Sequence, residues 1–295
     1  MRYENVVRYV NEILSEYELD LTLRQIFYRL VANYGYPNTN SMYNQLSKQL
    51  VKARERGDVD ESRMEDRSRE FLGGDYGFDD SSDFVSYQIQ RFLSSPRRYT
   101  RIMWTSQPEF VLVWIEKDAL SRVVSGIADR YKVITAPSRG YASYTYIKEA
   151  VAKFPEDKQI TVLHFADHDP SGLDMTRDLE QRLRRYSELE GLDLTINVQR
   201  IALTHQQVQE YNLTPNPTKT ADPRATGYTE EFGNQCWELD AIEPNELQRL
   251  VLESIKSHID ADIWNQTLEQ QTQERQELEE QFSAIEQLLR EHGYV

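Results

Sequence analysis

The 295-residue sequence contains one cysteine, Cys236. That excludes an internal disulfide and any cysteine-based zinc site. No apolar run approaches the ~18 residues needed to cross a bilayer. Met1-Arg-Tyr-Glu-Asn5 lacks the apolar core of a secretory leader, so the expected location is the cytoplasm. There is no Gly-x-x-x-x-Gly-Lys-Ser/Thr loop to cradle a nucleoside triphosphate, and no internal repeat. Lysine is scarce, supplying nine of the 34 basic residues. The formal net charge of −15 is the opposite of what a phosphate-binding surface needs. An acidic, lysine-poor surface of this kind also fits a salt-adapted source.

The charge is unevenly spread. Residues 24–69 hold nine basic and six acidic side chains, whereas 241–295 hold four basic and twelve acidic ones. An early segment therefore stays mildly basic within an acidic chain.

The most informative stretch is Thr161-Val-Leu-His-Phe-Ala-Asp167-His-Asp169-Pro-Ser-Gly172. Its apolar, β-branched start predicts a buried strand ending in two aspartates. Alternation along a strand lets Asp167 and Asp169 share a face while His168 points away. His164 and His168 fall on that opposite face and are read as structural. Two nearby carboxylates repel unless a proton or cation sits between them, and oxygen ligands at a sheet edge suit Mg²⁺ (with Mn²⁺ as a substitute). Pro170-Ser-Gly172 predicts a helix start, over 173–186, whose N-terminus favours anions. A second strand, Phe110–Ile115, leads into Glu116-Lys117-Asp118. Glu116 can converge on the same sheet edge, where ligands of open α/β sheets gather.

Three helices are expected before this region: 3–17, 23–32 capped by Asp20 or Thr22, and one ending at Arg56, capped by Asn40 or Ser41. Asp58-Val59-Asp60 is read as a short strand or wing. The third helix carries Lys48, Lys52, Arg54 and Arg56, and the group resembles a winged helix-turn-helix, which places its last helix in the major groove of duplex DNA. A polar, glycine-rich loop follows over 71–82, then a short helix over 84–93 and a boundary near 103–109. The domains are accordingly read as 1–103 and 109–295. After the boundary, strands and helices alternate through Ala202, predicting a four-stranded parallel sheet with crossover helices. An irregular arm is expected over 213–233, then helices over 244–258 and 260–292. The last of these is read as a packing or dimer helix.

Glu116 after one strand and Asp167-x-Asp169 after a later one resemble the acidic signature of the Toprim domain. Asp-x-Asp-Pro-x-Gly before a helix, with Arg24-Gln-Ile-Phe-Tyr28 in a preceding winged-helix segment, is similar to the A subunit of topoisomerase VI, the related meiotic strand-breaking enzymes and their small stand-alone "mini-A" members. The resemblance covers about 21–242. It implies that Tyr28 is the nucleophile and forms a 5′-phosphotyrosyl link. Arg24, one turn earlier, would stabilise the phenolate or phosphate. Glu116, Asp167 and Asp169 would bind Mg²⁺, with Glu116 also able to relay a proton. The implied protein is a homodimer on nucleoid DNA, one protomer's tyrosine meeting the other's acidic site. Lys117, Arg139 and Lys219 are candidate phosphate contacts. Full-length A subunits engage a separate ATPase subunit through an N-terminal extension. Here the tyrosine lies only 28 residues in, and with no nucleotide-binding signature in the sequence ATP-driven strand passage by this chain alone is not expected. Coupling to a separate ATPase subunit is compatible with the resemblance but has no support in the sequence. Two rivals remain: a Toprim nuclease in which Tyr28 only packs, and a non-catalytic DNA-binding protein.

Overall fold

In a computed structural model, residues 1–65, 77–218 and 222–294 are described. Lys219 and the first half of the predicted 71–82 loop, 71–76, lie outside them. The chain is α/β and forms two compact units, Met1–Arg67 with Pro108–His258, and Ser68–Gln107 with Ile259–Val295.

The first unit opens with three helices, α1 (Tyr3–Glu16), α2 (Leu23–Tyr34) and α3 (Asn40–Glu55). Thr22 caps α2 in a reciprocal box with Gln25, and Gly35 ends it in the left-handed conformation. The cap of α3 is Thr39, not Asn40 or Ser41. Thr39 sits one residue ahead of the helix, where its hydroxyl meets the Met42 N–H. The apolar stripes meet in one core around Val10, Ile13, Ile26, Phe27, Leu46 and Leu50. Asp58-Val59-Asp60 is a bend after α3 and not a strand, with Val59 buried in that core. The strands here are instead β1 (Leu21–Thr22) and β2 (Met64–Glu65), a parallel pair of two residues each.

The sheet follows as β3 (Glu109–Ile115), β4 (Ile134–Pro137), β5 (Gln159–Phe165) and β6 (Ile196–Ala202), all parallel, in the order β4-β3-β5-β6. The chain steps from β3 outward to β4, then crosses back to place β5 on the other side of β3. The carboxyl ends of β3 and β5 therefore flank a topological switch point, where such sheets open a crevice. Between the strands run α5 (Ser121–Ala128), α6 (Tyr144–Val151) and α7 (Pro170–Leu189). Leu112, Trp114, Ile160 and Val162 pack with Ile147 and Val151 of α6 and Leu179 and Leu183 of α7. These side chains share one face of the sheet, and at about 25 cal/mol per Å² of apolar surface such burial helps to hold a parallel sheet together.

Past β6 comes α8 (His205–Glu210). The expected irregular arm is more ordered than its prolines implied. It contains β7 (Asn216–Pro217) and α9 (Ala225–Phe232), and just beyond it β8 (Gln235–Cys236) pairs antiparallel with β7. Helix α10 (Pro244–Lys256) completes the unit.

The second unit holds α4 (Ser81–Leu93), which precedes the sheet in the chain, and α11 (Ala261–Glu291), a 31-residue helix with one buried residue, Thr267. The Tyr99 hydroxyl donates to Glu274 at 2.6 Å, and the Phe92 and Phe282 rings lie 4.7 Å apart. Among the described residues no helix is long and apolar enough to cross a membrane.

Candidate functional site

The β3–β5 register pairs Ile115 with Phe165, so the residues that follow each strand also meet. The Asp167 N–H donates to Glu116 Oε2 at 3.0 Å, making Glu116 and Asp167 neighbours across the switch point. Asp169 caps α7, its Oδ1 accepting from the Gly172 N–H at 2.6 Å and the Ser171 hydroxyl at 2.9 Å. Pro170 at the first helical position gives up no hydrogen bond there. Gly172 is required by space, since a Cβ on it would lie 2.1 Å from the Asp167 carbonyl oxygen. The Asp-x-Asp-Pro-x-Gly spacing thus encodes a strand end folded tightly onto a helix N-terminus.

Arg200, on the neighbouring strand β6, staples this corner. It donates to the carbonyls of Gly172 (2.8 Å), Leu203 (2.9 Å) and Ala166 (3.1 Å) and to the Thr176 hydroxyl (2.9 Å). Burial lowers the Arg200 pKa to about 10.

Burial raises the pKa of Asp167, which is 8% exposed, with Lys117 opposing the shift and Glu116 adding to it. Burial likewise raises that of Glu116. The largest counter-charge is Lys117. Its Nζ lies 3.2 Å from Asp167 Oδ1, 3.0 Å from Glu238 Oε2 and 2.5 Å from Asp240 Oδ2. Burial alone would favour a neutral Lys117, but Asp240, Asp167 and Glu238 outweigh it and hold the ammonium charged.

Glu238 also forms a two-point pair with Arg24 of α2, Nε to Oε2 at 2.8 Å and Nη2 to Oε1. The cleft of about 440 Å³ beside this network is lined by Arg24, Asp167, Asp169 and Glu238, together with Phe27 and Asn40. Arg24 and both aspartates of one chain therefore share one cleft.

Tyr28 does not join them there. It is 1% exposed and lines a different cavity of about 380 Å³ with Arg29, Tyr211 and Glu243. Its hydroxyl accepts from Asn216 Nδ2 at 2.7 Å, and burial together with the Glu238 charge pushes its pKa up to about 12. Nor do the other basic candidates line the cleft. Lys48, Lys52 and Arg56 are exposed on or just beyond α3, and Lys52 and Arg56 lie over the Tyr3 ring, 5.2 and 5.5 Å from its centroid. Arg54 is half-buried. Arg139 is exposed and paired with Asp118 at 2.7 Å.

The histidines behave as their strand position implies. His164 bonds the Thr176 hydroxyl at 2.9 Å, and His168 bonds Tyr228 at 2.9 Å within a nest of Phe232, Trp237 and His205.

Each member of the acidic triad commits one oxygen to these bonds. Among the described residues, Glu116 Oε1, Asp167 Oδ2 and Asp169 Oδ2 make no hydrogen bond. Three hard oxygens at a helix N-terminus fit the chemistry of Mg²⁺. They are neighbours rather than an assembled cage, since no group of three or more His, Cys, Asp or Glu among the described residues stands in metal-holding geometry.

Reading along the sequence missed Glu238, Asp240, Asn216 and Arg200. Glu238-Leu-Asp240 does repeat the acid-x-acid spacing of Asp167-x-Asp169, a signal that could have drawn attention to it. No family model and no curated protein matches the chain.

Proposed function

We propose that this chain is a DNA strand-breaking transesterase of the topoisomerase VI A-subunit type, a winged-helix segment followed by a Toprim sheet. The carrying observation is the acidic corner at the β3–β5 switch point, with Arg24 lining the same cleft as Asp167 and Asp169. Glu116, Asp167 and Asp169 would hold Mg²⁺, which would supply charge neutralisation at the scissile phosphate. Thr39 and Asn40 at the start of α3 and Asp169 at the start of α7 line this cleft, and a helix start is the end whose dipole favours phosphate oxygens.

In the reaction, the Tyr28 oxygen bonds to phosphorus as the bond to the ribose O3′ breaks. The tyrosine gives its proton to water, the leaving oxygen takes one up, and a 5′-phosphotyrosyl link remains. Glu116 would either hold the metal or, where it does not, relay that proton to the leaving oxygen. Arg24 balances charge on the phosphate. Tyr28 reaches the edge of its own chain's cleft only through Asn216 and Arg24, and the family resemblance assigns its hydroxyl to the corner of a second copy, which would make the enzyme a homodimer. The basic α3 would carry duplex DNA. The buried, Asn216-bonded hydroxyl favours a second reading, a Toprim nuclease in which Tyr28 only packs.

The test uses end-labelled and supercoiled DNA with Mg²⁺ or Mn²⁺, quenched in detergent. Label that stays with wild-type protein until proteinase is added, and is lost in Tyr28→Phe and Asp167→Asn, is expected. Mixing those two variants should restore adduct, because one active site per heterodimer is then complete. Free nicked or linear DNA from both wild type and Tyr28→Phe would instead identify the nuclease.

A further inference from the structure

Glu238 belongs to neither the tyrosine helix nor the acidic triad, yet it touches the partners of both. Its carboxylate is shared between Arg24 and Lys117, and Lys117 is shared in turn with Asp167. Charges alternate along this line, so each member competes for its neighbours. The backbone around Glu238 is fastened to the same corner. Trp237 and His168 exchange two backbone hydrogen bonds of 2.8 and 2.9 Å, and the Leu239 N–H donates to Asp167 Oδ1 at 2.7 Å. A shift of the Asp167 corner therefore carries Glu238 with it. Arg24 forms no ion pair with any other residue among those described, lying otherwise against the rings of Tyr43, Tyr28 and Phe27.

We propose that Glu238 is a positioning residue that couples the tyrosine helix to the acidic corner, passing charge changes between Arg24 and Asp167 by way of Lys117. The inference rests on the roles proposed above for Arg24 and Asp167. A cation arriving at Asp167 displaces the positive charge of Lys117 toward Glu238 and Asp240, where it competes with Arg24 and loosens α2. The coupling must be reciprocal. Removing the Arg24 charge leaves Glu238 to Lys117, draws Lys117 away from Asp167 and tightens cation binding there.

The experiment is a Mn²⁺ titration of the full chain, followed by paramagnetic resonance, for wild type, Arg24→Gln, Glu238→Gln and the double variant. Arg24→Gln should tighten Mn²⁺ binding about 5-fold in the wild-type background and leave it unchanged beside Glu238→Gln. An equal change in both backgrounds, which a simple through-space field gives, overturns the proposal, as does no change in either. The metal-free readout is the ¹⁵N ammonium resonance of Lys117, identified by its absence in Lys117→Arg. It should move in Arg24→Gln and stay put when Glu238→Gln is also present. A resonance that ignores Arg24→Gln overturns the coupling whether or not the metal binds, whereas absence of Mn²⁺ binding with a responsive resonance counts only against the acidic corner as a metal site.

Discussion

Asp167 and His168 are adjacent in the chain and live in opposite chemical worlds. Asp167 faces a charged cleft with Glu116, Lys117 and Asp240, where burial raises carboxyl pKa values and an ammonium ion has to compensate. His168 faces a neutral aromatic nest of Tyr228, Phe232 and Trp237, where burial lowers its pKa to about 4 and a single hydroxyl satisfies the ring nitrogen. The difference comes from strand alternation, which sends successive side chains to opposite faces. One face stores unbalanced charge, which is what a site needs, and the other stores packing, which is what holds the site still.

Breaking the charged side should cost most. Lys117→Met strands Asp167 and Asp240 without their cation and leaves Glu238 with Arg24 alone. We expect a loss of about 3–5 kcal/mol in denaturant unfolding, partly recovered by added Mg²⁺. Unchanged stability would mean that the carboxylates simply protonate.

Gly172→Ala attacks the hinge between the two sides. The added methyl must push the Asp167 carbonyl away, costing about 1–3 kcal/mol, and cation binding should weaken with it. A variant with wild-type stability and metal binding would show that the corner is looser than its geometry implies.

On the packing side the expected effects are smaller and depend on pH. Burial, and then the Arg200 charge, lower the His164 pKa to about 3 from an ordinary 6.5. The unfolded chain then takes up a proton at a higher pH than the folded one. His164 therefore contributes its full stability above pH 6.5, and that contribution is lost as the pH falls from 6.5 through about 3. On this account His164 contributes about 1 kcal/mol to the difference in urea unfolding between pH 7 and pH 5.5. His168 adds a similar share and the raised Asp167 acts in the opposite sense, so His164→Gln should remove its own share of that limb and leave the rest.

His168→Phe should cost only about 1 kcal/mol, because the Tyr228 hydroxyl keeps the carbonyls of His168 and Gln235 as acceptors, at 2.9 and 3.0 Å. A loss larger than that of Lys117→Met would reverse the comparison. The smallest change is at the exposed Lys48. Lys48→Gln should reduce the slope of log DNA affinity against log salt by about 1 without sequence dependence, and an unaltered slope would remove α3 from the DNA surface.

Much of this architecture was legible along the chain. The apolar runs before Glu116 and Asp167 marked both strands. Asp-Pro-x-Gly marked the turn into α7, and the order of units implied a parallel sheet. The arm over 213–233 was misjudged because its prolines and glycines signal breaks, while α9 within it is held by contacts from far away, such as Tyr228 on His168. Glu238 and Asp240 escaped notice for the same reason. Their meaning lies in partners 121 and 123 residues earlier, with Glu238 also meeting Arg24 214 residues away.

The sequence by itself determined which residues alternate, which helices begin where, and that two acids stand at one strand end. These follow from local periodicity and backbone chemistry, which act over a few residues. Only the tertiary structure decided that β5 lies beside β3, so that Glu116 meets Asp167. It also decided that Lys117 rather than open water faces Asp167, and that Tyr28 is buried with its hydroxyl bonded to Asn216. Those outcomes depend on strand order and on which distant charges burial forces together, quantities that no local pattern carries.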